Sequence, residues 1–229
     1  MMRVGVAMLQ GARHEHCEAL QHAAIELGKT IEIVELRKSK QVDDSIHALI
    51  LPGGESTTMR IASQSESLLN GIFAWMISHP NRPVLGTCAG AILLANPGSK
   101  HDRFIDAEVS RNAWGRQRFS FEAPLQVNLE TPQPSSESYY ELSRDKFNHK
   151  PLPMSSQAAK RESNDFPGVF IRAPRFIENT INCEKIVKLN GETVGVMQGN
   201  KLALTFHPEL TEDRRFHRWL IDKITNDSM

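Results

Sequence analysis

The sequence has little cysteine, no excess of either charge and no long apolar run. Only Cys17, Cys88 and Cys183 occur among 229 residues. Three scattered thiols are too few for a disulfide framework or a zinc site, so no metal is expected. Such sparse cysteine favours a reducing, cytoplasmic compartment. Lys plus Arg and Asp plus Glu number 27 each, which makes the net charge zero. That balance leaves no electrostatic footprint for nucleic acid or for a membrane surface. No stretch approaches the roughly 18 consecutive apolar residues of a membrane span. The apolar run at 4–9 is also too short for the core of a signal peptide. With 40% hydrophobic and 24% charged residues, the composition is that of an ordinary globular protein. The length suits one sizeable domain over 1–229.

What is present alternates strands with helices. Residues 4–9 read as a buried central strand. A helix over about 14–27 follows, with Cys17, Leu20, Ala24 and Leu27 on one stripe and Gly28 as its stop. Residues 31–36, 48–51 and 84–87 read as further strands, with a helix around 68–77 before the last. This alternation predicts an α/β fold, an open, mostly parallel sheet with helices on both faces. Ligands in such sheets bind outside the carboxyl ends of the strands. After Ala95 the pieces shorten, to strand-like stretches at 108–110, 119–121 and 125–129. The polar stretch 131–167 reads as a long loop insertion. The chain re-enters the sheet at Gly168, and strands at 186–189, 193–197 and 202–206 close it. A last helix, N-capped by Thr211, is expected to run to about Thr225.

The most informative stretch is Gly86-Thr87-Cys88-Ala89-Gly90. It is the thiol counterpart of the Gly-x-Ser-x-Gly nucleophile elbow, a sharp strand-to-helix turn that exposes its middle side chain. A thiol there meets a helix N-terminus, whose positive dipole end favours thiolate. The plainer reading is a buried, inert thiol. A nucleophile also needs a base and an oxyanion hole. Among nine histidines, His207 stands out because it follows a closing strand and precedes Glu209 by two residues. In an extended segment those side chains share a side, so the carboxylate orients the imidazole toward a thiol. The cluster His14-Glu15-His16-Cys17-Glu18 spaces its ligands poorly for a metal or a thiol–base pair and reads as a solvated helix start. His22, His47, His79, His101, His149 and His217 carry no motif and read as surface or packing residues. Two backbone N–H groups suit the oxyanion hole, those of Ala89 after the nucleophile and of Gly54 in the Pro52-Gly53-Gly54 turn.

Together these segments resemble the class I, triad-type glutamine amidotransferase family, whose sheet has a flavodoxin-like core. More narrowly, the chain is similar to the glutaminase subunits of pyridoxal 5′-phosphate synthases. The residues that carry the narrower likeness are Gly53-Gly54-Glu55-Ser56-Thr57-Thr58, Arg111-Asn112-Ala113-Trp114-Gly115-Arg116-Gln117 and Phe170-Ile171-Arg172-Ala173-Pro174. The resemblance implies hydrolysis of L-glutamine to L-glutamate and ammonia, with Cys88 as nucleophile, His207 as base and Glu209 as orienter. It implies that Gly54, Glu55, Ser56, Arg111, Ile171 and Arg172 bind the substrate. Glu55 suits the ammonium, and an arginine fork suits the carboxylate. It implies no cofactor. It also implies a hetero-oligomer with a barrel-shaped synthase subunit, which receives the ammonia for vitamin B6 biosynthesis. Gln10, at the end of the first strand, is then a candidate for sensing that partner. The alternatives are a glutaminase subunit for histidine or purine synthesis, or a non-catalytic regulatory relative.

Overall fold

A computed structural model describes residues 1–111, 120–135 and 165–226. The first half alternates as expected, with strands β1 (Met2–Ala7), β2 (Ile31–Leu36), β3 (Ala48–Leu51) and β4 (Val84–Thr87). Helices α1 (Arg13–Glu26), α2 (Ser56–Ser63), α3 (Leu68–Ser78) and α4 (Ala89–Ala95) lie between and after them. Strands β5 (Val109–Ser110), β6 (Phe121–Val127), β7 (Phe166–Phe170), β8 (Arg175–Phe176), β9 (Glu184–Leu189), β10 (Glu192–Gln198) and β11 (Lys201–Leu204) follow, and helix α5 (Arg215–Asn226) closes the described chain.

Nine strands form one sheet in the order β2-β1-β3-β4-β11-β10-β9-β6-β7, while β5 and β8 pair separately. From β2 to β11 all neighbours are parallel. From β10 outward all are antiparallel. In the parallel half, successive side chains enter opposite cores, as the strand period of two requires. Val4, Val6, Ala48, Ile50 and Leu85 join Leu20, Ala23 and Ala24 of α1 and Phe216, Trp219 and Leu220 of α5. Leu49, Leu51 and Val84 join Met59 of α2, Ile72, Phe73 and Met76 of α3 and Leu93 of α4. Helices therefore cover both faces, and all the loops that end the parallel strands open at one edge.

After the glycine turn the chain enters α2, a helix the sequence reading did not include, because the Glu55 side chain accepts from Thr57 N and Thr58 N as an N-cap. Four sequence expectations need correction. The pieces expected at 119–121 and 125–129 merge into one strand, β6, which leaves out Ser120, Asn128 and Leu129, while Phe119 lies outside the described residues. The loop expected to reach 167 ends earlier, since β7 begins at Phe166. Pro167 is tolerated there because β7 is an edge strand. The strand before His207 ends at Leu204 rather than at Phe206. Thr211 does not cap the last helix. Its hydroxyl donates to Pro208 O and Asp213 O, and Asp213 Oδ1 instead accepts from Arg215 N at 3.0 Å. Among the described residues no helix is long and apolar enough to cross a membrane.

Candidate active site

The elbow forms where β4 meets α4. Cys88 has φ 47° and ψ −104°, a conformation that L-residues rarely adopt and that concentrates at functional sites. The surroundings over-determine it. Cys88 N donates to Leu204 O at 2.8 Å, which ties the turn to β11. Gly90 is required because a Cβ there would stand 1.9 Å from Leu51 O, so α4 starts flush against β3.

His207 is held from behind by aromatic packing. Phe206 is fully buried among Phe166, Phe170 and Phe216, with centroids 5.5 to 5.7 Å away. His207 N donates to Val169 O at 2.8 Å. Its Nδ1 lies 2.7 Å from Glu209 Oε1, and the Glu209 side chain is wholly buried. The sequence reading placed this pair on an extended segment. The structure folds Pro208–Leu210 into a 3-10 turn, which brings the two side chains together by curling the chain. Burial alone would strip the proton from His207. The Glu209 carboxylate and a hydrogen bond to Cys88 outweigh it and raise the imidazole to about 10. Burial works against ionisation of Glu209 as well, but its histidine neighbours hold it below the usual carboxylate range.

The cysteine and the imidazole open on a cleft of about 470 Å³, ample for an amino acid. Of the expected residues, Gly54, Glu55, Ser56, Cys88, Arg111, Ile171, Arg172 and His207 all line it. Glu209 and the Ala89 side chain stand behind that wall, and Ala89 is the first residue of α4. Its backbone N–H is one of the helix-start donors that have no intrahelical partner. Gly54 has φ 152°, and the neighbouring Glu55 N donates to Gln10 Oε1 at 3.1 Å. Gln10 thus braces the glycine turn from β1's end. The turns meet closely, since a Cβ on Gly11 would lie 1.9 Å from Gly53 O and one on Gly53 would lie 2.3 Å from His207 Cε1.

Glu55 differs from the free carboxylate expected. Hydrogen bonds from Thr58 and Thr57 at the start of α2 occupy it and lower it to about 2. Arg111 does not pair with it but donates to Thr57 Oγ1 at 3.1 Å. Arg172 adopts φ 44°, a second strained non-glycine residue on the cleft wall. Residues 112–117 of the polar stretch that starts at Arg111 lie outside the described residues.

Sequence reasoning missed three residues. Glu15, in the first turn of α1, lines the cleft. His16, read as part of a solvated helix start, is fully buried, with Nε2 3.3 Å from Glu209 Oε2 and 3.0 Å from Thr87 Oγ1. His217, read as a residue without a motif, is fully buried with Nε2 3.0 Å from His16 Nδ1. The available signal was the helical period, because His16 leads the buried positions Ala19, Leu20, Ala23 and Ala24. The stripe drawn through Cys17, Leu20, Ala24 and Leu27 does face the core, but it left out His16 at the buried stripe's leading edge.

Known proteins resemble this chain over nearly its whole length. The family model described as "SNO glutamine amidotransferase family" matches residues 6–134 and 150–226. A "Pyridoxal 5'-phosphate synthase subunit PdxT" from Thermococcus onnurineus is 39% identical, over 97% of this chain and 99% of its own. A protein of the same name from Methanosarcina mazei is 36% identical, over 98% of this chain and 100% of its own. A solved structure titled "Crystal structure of glutamine amidotransferase" superposes with TM-score 0.68 at 34% identity, covering 97% of this chain and 98% of that one. These matches run through every loop that forms the cleft, and the chain belongs to the SNO glutamine amidotransferase family.

Proposed function

We propose that this chain is the glutaminase subunit of a pyridoxal 5′-phosphate synthase. It hydrolyses L-glutamine through Cys88, His207 and Glu209 and passes ammonia to a barrel-shaped synthase subunit. The observation that carries this reading is one imidazole paired at 2.7 Å with a buried carboxylate and sharing the cleft wall with a cysteine at a strained elbow. Family membership supports the glutaminase reaction. The relatives' shared name supports the B6 pathway over histidine or purine synthesis, and full-length similarity to them weighs against a non-catalytic relative. We place the complex in the cytoplasm and treat 1–229 as one domain with an insertion.

Protons move as follows. Glu209 accepts from Nδ1–H of His207, which turns Nε2 toward the sulfur. Nε2 takes the thiol proton, which leaves a sulfur nucleophile beside an imidazolium. The sulfur attacks the side-chain amide carbon, and the oxyanion forms against the N–H groups of Ala89 and Gly54. His207 gives its proton to the departing nitrogen, and ammonia leaves a thioester on Cys88. His207 then takes a proton from water, which attacks the thioester and frees glutamate. Arg111 and Arg172 supply cationic forks for the substrate carboxylate. Gly54, Ser56 and Ile171 shape the pocket wall around it. The carboxylates on the cleft wall are Glu15 and Glu55. With Glu55 engaged at α2, Glu15 is the better partner for the ammonium. Gln10 holds the Gly54 turn and is placed to report partner docking to the oxyanion hole.

The test is release of glutamate and ammonia from glutamine by the full chain with its own synthase subunit. Wild type is expected to turn over, and Cys88→Ala to lose at least about 1,000-fold. Full activity in Cys88→Ala would end the proposal.

A further inference from the structure

Behind Glu209 lies a buried pair that the reaction scheme leaves unused. His16 of α1 and His217 of α5 are both fully buried. They share a contact of 3.0 Å between His16 Nδ1 and His217 Nε2, with their rings tilted at 49°. His16 Nε2 faces two atoms of the catalytic region, the Thr87 hydroxyl beside the nucleophile at 3.0 Å and Glu209 Oε2 at 3.3 Å. Glu209 Oε1 is taken by His207, while Oε2 has no aligned hydrogen-bond donor among the described residues. A buried carboxylate oxygen without a neighbouring donor is costly. The His16 imidazole, 3.3 Å away, is the side chain placed against it.

One arrangement of protons satisfies these contacts. A lone pair on Nε2 would face the carboxylate, like against like, so the proton sits on Nε2. It points to Thr87 Oγ1, with Glu209 Oε2 beside it at 3.3 Å. Nδ1 is then the acceptor, and His217 Nε2–H donates to it. His217 Nδ1 is left as a buried acceptor with no bond, which costs less than an unpaired donor would. Both imidazoles are neutral. Burial lowers His16, and burial with Arg214 and Arg218 nearby lowers His217. The charged groups that face the pair are Glu15 on α1, Glu209 and His207 at the 3-10 turn, Arg214 just before α5 and Arg218 on it. Thr87, from β4, is neutral.

We propose that His16 and His217 are positioning residues for glutamine hydrolysis, a two-imidazole relay that holds Glu209 and Thr87 in register. Through the Nε2–H dipole the relay keeps Glu209 anionic and turned toward His207. Through Thr87 it also ties that orientation to the strand that carries Cys88. Substrate touches neither histidine. The inference rests on the glutaminase reading above, because it assigns a role within that reaction.

The experiment measures kcat, KM and the pH profile of kcat/KM for glutamine, using the full chain with its synthase subunit, and checks folding by melting. His16→Leu removes the donor. Its kcat is expected to fall about 10- to 100-fold, the range for removing a polar partner from beside a buried carboxylate. KM should stay within about twofold, because no substrate contact is lost. With its donor gone, Glu209 takes up a proton more readily, so the acid limb of the profile moves to higher pH. His16→Gln retains an amide donor and should recover kcat to within about threefold of wild type. His217→Leu should shift the acid limb in the same direction by less, and it serves if His16→Leu does not fold. An unmoved acid limb in a folded variant would overturn the relay, as would equal losses in His16→Leu and His16→Gln. A wild type that releases no glutamate would fail the glutaminase reading instead.

Discussion

The two halves of the sheet do different work. The parallel half, β2 through β11, delivers chemistry at the carboxyl ends of its strands. Gln10 follows β1, the Gly53–Gly54 turn follows β3, Cys88 follows β4, and His207 follows β11. The antiparallel half delivers Ile171 and Arg172 just past β7 and otherwise builds a wall of phenylalanines behind His207. Parallel strands force every connection to the same edge, so short loops distant in sequence converge there. The antiparallel extension has no such geometric focus, and its contribution is support plus one side of the cleft. Glycine tolerance should expose the difference.

The largest effect is expected at Gly90. An added methyl there meets the Leu51 carbonyl, which is backbone and cannot turn aside. Gly90→Ala must displace α4 or β3, and with them the elbow. A displacement of about 1 Å at a catalytic group costs roughly 100-fold in kcat, which steady-state assay will show. In the antiparallel half, a methyl on Gly168 meets the Leu125 side chain at 2.4 Å. Gly168→Ala should cost about 1–3 kcal/mol by over-packing, read from urea unfolding, while the folded fraction keeps its kcat. Equal kcat losses at both sites would erase the distinction between the halves.

Arg172 comes next, as the antiparallel half's contribution to the cleft. Arg172→Ala should raise KM roughly 10- to 100-fold, the value of a charge-assisted bond to a carboxylate, with a smaller change in kcat. If kcat falls and KM holds, the residue acts on the chemistry and not on binding.

The smallest effect is on stability against pH. His207 sits at about 10 in the fold against an ordinary 6.5. A raised basic group contributes stability fully below its unfolded value and loses it as pH climbs through the folded one. Melting temperature should therefore fall between about pH 7 and pH 10, and His207→Gln should flatten that slope. A slope that His207→Gln leaves unaltered would place the ionisation elsewhere.

Much of the parallel half was legible because its signals are local. Apolar runs bounded by glycine mark β1, β3 and β4, and Gly-x-Cys-x-Gly names the elbow without any tertiary knowledge. The His207–Glu209 pair was also found, although by way of an extended segment that the structure replaces with a 3-10 turn. A proline after the histidine permits either conformation. The capping role of Glu55 could be read only from the helix that follows it, and the polar run Ser56-Thr57-Thr58 gave no apolar stripe to announce one. His16 and His217 were invisible for a different reason. They stand 201 residues apart, and nothing in the local pattern of either says that the other completes it. Glu15 was hidden likewise, because only the packing of α1 against the elbow turns it toward the cleft.

The central claim is that Cys88 alone is the activated thiol and that glutamine reaches it in the cleft. Burial and nearby carboxylates push Cys17 and Cys183 up to about 11, so both should be unreactive at neutral pH. Intact-mass and peptide analysis after treatment with a glutamine-shaped chloroketone at pH 7 tests the claim directly. The account predicts one adduct per chain, on Cys88, with excess glutamine slowing its formation. Labelling spread over the three cysteines, or a Cys88 adduct that glutamine does not slow, would contradict it.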